Sequence, residues 1–228
     1  MASSPLTETH GHGAHHHPAL AHQFDSLEQQ KESSTLGMWL FLVTEVMFFG
    51  GLFLAYVIYR GRYPEAFLAG SNTLDVLLGG LNTAVLIASS WTMVLAIWAA
   101  QVNWRKGIVL FLILTMILGS VFLVVKAFEY AEKFEHHHVP GASFQFEGAQ
   151  PQHAEIFFSL YFIMTGLHAT HMVIGIAILA VLAVLAWRGH YGPDYYNPLE
   201  MTGLYWHFVD LVWIFLFPLL YLLGAHVH

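Results

Sequence analysis

The chain has 228 residues, of which 57% are hydrophobic, 15% aromatic and only 10% charged, against about 25% charged residues in ordinary soluble domains. A formal charge of −7 excludes a nucleic-acid binder, and the absence of Cys excludes disulfides, thiolate zinc sites and thiolate-bridged copper.

A polar stretch over residues 1–35 comes first, with His10, His12, His15, His16, His17 and His22 among Gly, Ala and Pro. It has no apolar run before a small-residue cleavage site, so it reads as a retained, solvated tail rather than a secretory leader. A His-rich tract of this kind also binds zinc or copper adventitiously.

Five apolar runs follow, each long enough to cross a hydrocarbon core of about 30 Å as a helix. They cover residues 36–59, 74–100, 107–130, 157–187 and 201–224. The fold class is therefore all-α: a polytopic membrane protein, a bundle of five transmembrane helices formed by residues 36–228. Trp and Tyr cluster near the ends of the runs, as an interfacial belt requires. The longest connection, residues 131–154, holds His136, His137, His138, Pro140 and Pro151; it reads as solvated surface or as a contact with a neighbouring chain.

Five spans place the termini on opposite sides of the membrane. Lys31, Arg105, Lys106 and Arg188 fall on the N-terminal side, against Arg60, Arg62 and Lys133 on the other. That difference is too small for the positive-inside rule to decide.

Ionisable side chains at membrane depth are costly, so each implies a partner or a water-filled cavity. Glu45 lies nine residues into the first run, about 14 Å along a helix, and calls for a cation or several donors. In the fifth run His207 and Asp210 are three apart and share a helical face beside Trp206; in the fourth, His168 and His171 do the same. Glu45 and His207 fall at similar depths on parallel spans and are expected to meet. A buried cluster of Glu45, His168, His171, His207 and Asp210 would satisfy its members' donors and acceptors. Proton exchange and purely structural hydrogen bonding are both open readings of Glu45. Lys126 and Glu129, an i, i+3 pair near the end of the third run, are expected to pair with each other or to reach the headgroups.

Several segments resemble subunit III of the haem-copper terminal oxidases, the cytochrome c oxidase subunit III family. They are WHFVDLVWIF from Trp206 to Phe215, GLHATH from Gly166 to His171 followed by Val173-Ile174-Gly175, and LVTEVMFFG from Leu42 to Gly50. Leu81-Asn82-Thr83, Ser89-Ser90 and the Lys126 to Tyr130 segment fit as well. The resemblance implies a non-catalytic subunit of a proton-pumping oxidase that reduces O2 to water. Haem and copper would sit in catalytic subunit I and electron-entry subunit II, with none in this chain, which would bind phospholipid and support proton uptake and stability. It also implies the bacterial cytoplasmic membrane, with the N-terminus cytoplasmic and the C-terminus on the outer side. Family members with seven spans carry two more N-terminal helices around a lipid cleft; this sequence matches a five-span form. Alternatives are subunit III of a quinol oxidase or a nitric-oxide-reductase-associated homologue and, outside the family, a stand-alone proton or cation transporter or a haem-binding membrane anchor. No internal repeat of the transporter kind is visible among the five runs.

Overall fold

The structure is a computed structural model that describes residues 21–141, 144–146, 150–193 and 195–222. Six helices follow one another: α1 (Leu27–Arg62), α2 (Pro64–Ser71), α3 (Val76–Gln101), α4 (Arg105–Glu135), α5 (Pro151–Trp187) and α6 (Asn197–Tyr221). All but α2 are long and apolar enough to cross a membrane. Among the described residues there is no strand, only an isolated bridge between Gly192 and Tyr195. His10, His12, His15, His16 and His17 lie outside the described residues.

Helices α1, α4 and α5 outrun the apolar runs that mark them. Hydropathy reports where the hydrocarbon begins, whereas the helix ends where capping chemistry ends it. The Ser26 hydroxyl accepts from the Gln29 N–H, so α1 starts at Leu27 and polar residues 27–35 form its opening turns. The sequence reading assigned those residues to the tail. The short α2 was likewise unread; Pro64 opens it, where a missing N–H costs nothing. A three-residue link joins α3 to α4, with Asn103 at φ 56°, a left-handed conformation that Asn tolerates.

α3, α4, α5 and α6 form a four-membered ring in which each packs on the next, and α1 lies outside it, across the seam of α5 and α6. The ring closes on Trp206, which is fully buried. Its indole occupies a slot left by two glycines: a Cβ on Gly119 or Gly175 would stand 2.9 or 2.8 Å from the ring. Hydroxyl groups bridge the helices around it. Trp206 Nε1 donates to Ser89 Oγ at 3.0 Å, Trp213 Nε1 to Thr83 Oγ1 at 3.0 Å, and Thr92 and Thr115 share a hydrogen bond of 2.8 Å. By contrast α1 buries only Leu42, Phe49 and Tyr56, and the Tyr56 hydroxyl donates to the Leu219 carbonyl. The outer surface is apolar, with Met47 and Phe128 more than two-thirds exposed, as a surface facing acyl chains must be.

On the α2 side, the loop after α4 folds back rather than standing free in solvent. The His138 ring stacks on Phe158 at 4.9 Å and meets Phe146 edge-on at 5.5 Å, while Gln145 N–H donates to the His137 carbonyl. Burial holds the His138 imidazole below its ordinary value of 6.5, helped by the charges of Lys133 and His136 and opposed by Glu132. A depressed imidazole pKa leaves the docked ring neutral while the undocked ring takes up a proton. Docking therefore keeps its full strength above about pH 6.5 and weakens as the pH falls below it. Amide hydrogen exchange at residues 137–146 is expected to speed up on acidification through that range, and His138→Phe to remove the dependence.

Candidate functional site

Glu45 lies halfway along α1 and turns toward α5. Its Oε2 is 3.1 Å from His171 Nε2, and the two side chains are 18% and 16% exposed. The other nitrogen, His171 Nδ1, is 2.8 Å from the Leu167 carbonyl one turn earlier on α5. A carbonyl only accepts, so Nδ1 carries the hydrogen. A neutral ring then presents a lone pair at Nε2, and a carboxylate facing it would set acceptor against acceptor. The contact holds only with one proton in it, as a carboxylic acid donating to the ring or as imidazolium donating to carboxylate. Phe49 covers the ring at 5.4 Å, and the Tyr205 hydroxyl donates to the His171 carbonyl at 2.9 Å. The pair is one of several polar contacts between α1 and the ring of four, beside Tyr56 to the Leu219 carbonyl and Lys31 to Glu200 at 3.2 Å.

The expected meeting of Glu45 with His207 does not occur. Three residues along α5 turn the helix by about 300°, which sends His171 to the α1 seam and His168 inward. On α6, His207 and Asp210 share the face expected of them, but that face points to α3. His207 Nδ1 lies 2.5 Å from Ser90 Oγ. His168 Nε2 donates to the Val209 carbonyl at 3.2 Å, its ring held between Phe122 and Trp213. The five residues thus form three separate arrangements rather than one network. The expected full satisfaction fails as well: His168 Nδ1 is buried without a hydrogen-bond partner among the described residues, and the buried Asp210 carboxyl has only the Ser90 hydroxyl beside it.

Lys126 and Glu129 pair at 3.0 Å with side chains 5% exposed, so they do not reach the headgroups. The ammonium also donates to the Tyr161 hydroxyl at 3.2 Å and the Tyr221 hydroxyl at 2.7 Å, which uses all three of its donors. Both tyrosines in turn donate to Glu129 Oε1, at 2.7 and 2.5 Å. The Tyr130, Tyr161, Trp213 and Tyr221 rings stand 5.1 to 5.8 Å from the ammonium. The cluster ties α4, α5 and α6 together, and sequence reading missed it as a unit because Tyr161 and Tyr221 are 35 and 95 residues from Lys126. Nearby, the buried Lys133 donates to the Thr73 carbonyl at 2.6 Å, anchoring the end of α4 to the turn before α3.

Among the described residues no group of three or more His, Asp or Glu side chains is placed to hold a metal ion. Each of His168, His171 and His207 already spends a ring nitrogen on a protein partner.

The fold and the site define an integral membrane protein of five crossing helices with an acid and an imidazole in contact between two of them. The family model for cytochrome c oxidase subunit III matches residues 22–225, and the chain belongs to that family. It is 35% identical to cytochrome c oxidase subunit 3 of Synechocystis over 225 residues, covering 97% of this chain and 83% of that one. It is 32% identical to the probable quinol oxidase subunit 3 of Staphylococcus epidermidis, covering 90% and 96%. It is also 32% identical to cytochrome c oxidase subunit 3 of Gallus gallus, covering 83% and 69%. Membership of a multi-subunit oxidase follows from the family.

Proposed function

We propose that this chain is the accessory subunit III of a haem-copper cytochrome c oxidase, in which catalytic subunit I and electron-entry subunit II hold the haem and copper. In this reading it binds phospholipid along its apolar flanks and stabilises the catalytic subunit. It lies in a bacterial cytoplasmic membrane with its N-terminus inside. The absence of Cys supports a redox role confined to its neighbours.

The observation that carries a proton-linked role is the 3.1 Å contact of Glu45 Oε2 with His171 Nε2, in a ring whose Nδ1 is committed to the Leu167 carbonyl. α1 has few buried side chains to hold it, so the protonation of this pair acts as a latch on its seating. The latch would let the subunit respond to proton uptake by the oxidase and would support the enzyme during sustained turnover. Glu45→Gln separates the two parts of the claim, because the amide still donates to His171 Nε2 but cannot release a proton. The variant is expected to assemble at parental level and to change the rate of proton uptake or the lifetime of the oxidase under prolonged turnover. Oxygen consumption, proton pulses and inactivation time courses read those quantities. Should all three match the parent, the pair is structural.

A quinol oxidase subunit 3 is the second reading, favoured by the Staphylococcus epidermidis relative and its 96% coverage. The subunits that co-purify separate the two: a copper-binding, Cys-containing subunit or a cytochrome c domain marks the cytochrome c enzyme.

A further inference from the structure

His207 sits on the outer edge of the seam between α3 and α6, half-buried, on the helical stripe that also carries the exposed Leu211 and Ile214. Across the seam, α3 presents Ile87, Trp91 and Val94, all about half exposed or more. This is an apolar face at membrane depth with one polar group in it. The inner nitrogen of His207 is bound to Ser90 Oγ at 2.5 Å, and behind them lies Asp210, 3% exposed, beside the same hydroxyl. The outer nitrogen, Nε2, has no hydrogen-bond partner among the described residues. An imidazole nitrogen facing acyl chains would lose a hydrogen bond that nothing there replaces. A lipid-facing position would not keep a His, whereas a protein-facing one uses it, because helices in a membrane associate through packing and interhelical hydrogen bonds.

We infer that the α3–α6 seam around His207 is the face on which this subunit docks against a transmembrane helix of a neighbouring oxidase subunit, one that offers His207 Nε2 a hydrogen-bonding side chain or a free carbonyl at mid-membrane depth. The surrounding Trp91, Val94, Leu211 and Ile214 supply the packing surface, and Ser90 fixes the ring so that Nε2 points outward. The inference rests on membership of an oxidase complex and adds the face by which the chain joins it. α1 occupies a different flank, over α5 and α6, so docking here leaves the Glu45 and His171 contact uncovered.

The test uses the assembled oxidase in its own membrane. Leu211 is replaced by p-benzoylphenylalanine in one variant and Ile117, on the outward face of α4, in another; after irradiation the adducts are identified by mass spectrometry. The Leu211 position is expected to join to another oxidase polypeptide and the Ile117 position to phospholipid alone. In parallel, retention of this chain on the purified oxidase through detergent washing is compared for the parent, His207→Leu and His207→Gln. An interhelical hydrogen bond in a membrane accounts for about a three- to twentyfold effect. The Leu variant should be retained more weakly by that factor, and the Gln variant, which can still bond, should recover most of it. Adducts from Leu211 to lipid only, or Leu and parent retained alike, would overturn the inference. Where the Leu variant does not accumulate, the cross-linking pair decides alone. A purification in which this chain brings down no haem protein would instead count against the oxidase reading itself.

Discussion

Replacing Lys126 with Met is expected to destabilise the chain by about 3–5 kcal/mol, the usual cost of removing one member of a buried ion pair. The ammonium is buried, bonded to Glu129, Tyr161 and Tyr221, and enclosed by four aromatic rings. With Met in its place the Glu129 carboxylate keeps its two tyrosine donors but loses its counter-charge. Adding Glu129→Gln should recover most of the loss, because a neutral amide can accept from the same hydroxyls without an uncompensated charge. Thermal unfolding of the purified oxidase, followed by release of this subunit, measures both variants. A single Met variant within about 1 kcal/mol of the parent would mean that the ion pair is dispensable to the join of α4, α5 and α6.

The second large effect concerns Trp206. Trp206→Ala empties the centre of the ring of four helices and removes the donor to Ser89 Oγ, a loss of about 3–5 kcal/mol. Gly175→Ala attacks the same contact from the other side, since its new methyl would stand 2.8 Å from the indole, and should cost about 1–3 kcal/mol. The two losses will not add. In the Trp206→Ala background the wall that the Gly175 methyl strikes is gone, so Gly175→Ala there should be neutral or stabilising. A double-mutant cycle on thermal stability reads the coupling directly. Additive losses would show that Gly175 is small for a reason other than the indole.

The five crossings were legible because each is a long apolar run, a signal that survives ignorance of every contact. Where α1 and α2 begin was not, since Ser26 and Pro64 mark those starts through local capping that hydropathy ignores. The candidate residues were legible as polar groups where lipid should be, yet their partners were not. Spacing along one helix says which residues share its face; it says nothing of how that helix is rotated against its neighbours. Glu45 therefore found His171 rather than His207, and Lys126 found two tyrosines whose sequence positions carry no hint of it. Asn82, Thr83, Ser89 and Ser90, noticed for their resemblance to a family, each turn out to bond across helices.

Because the slot for Trp206 is walled by residues of α3, α4 and α5 and filled from α6, it stays open during synthesis until the last crossing has left the ribosome. A nascent chain halted before Asn197 would present Ser89, Gly119 and Gly175 around a gap in the bilayer. Quality-control proteases that recognise incompletely packed helices would have a ready mark on such chains, and completion of translation would itself erase it.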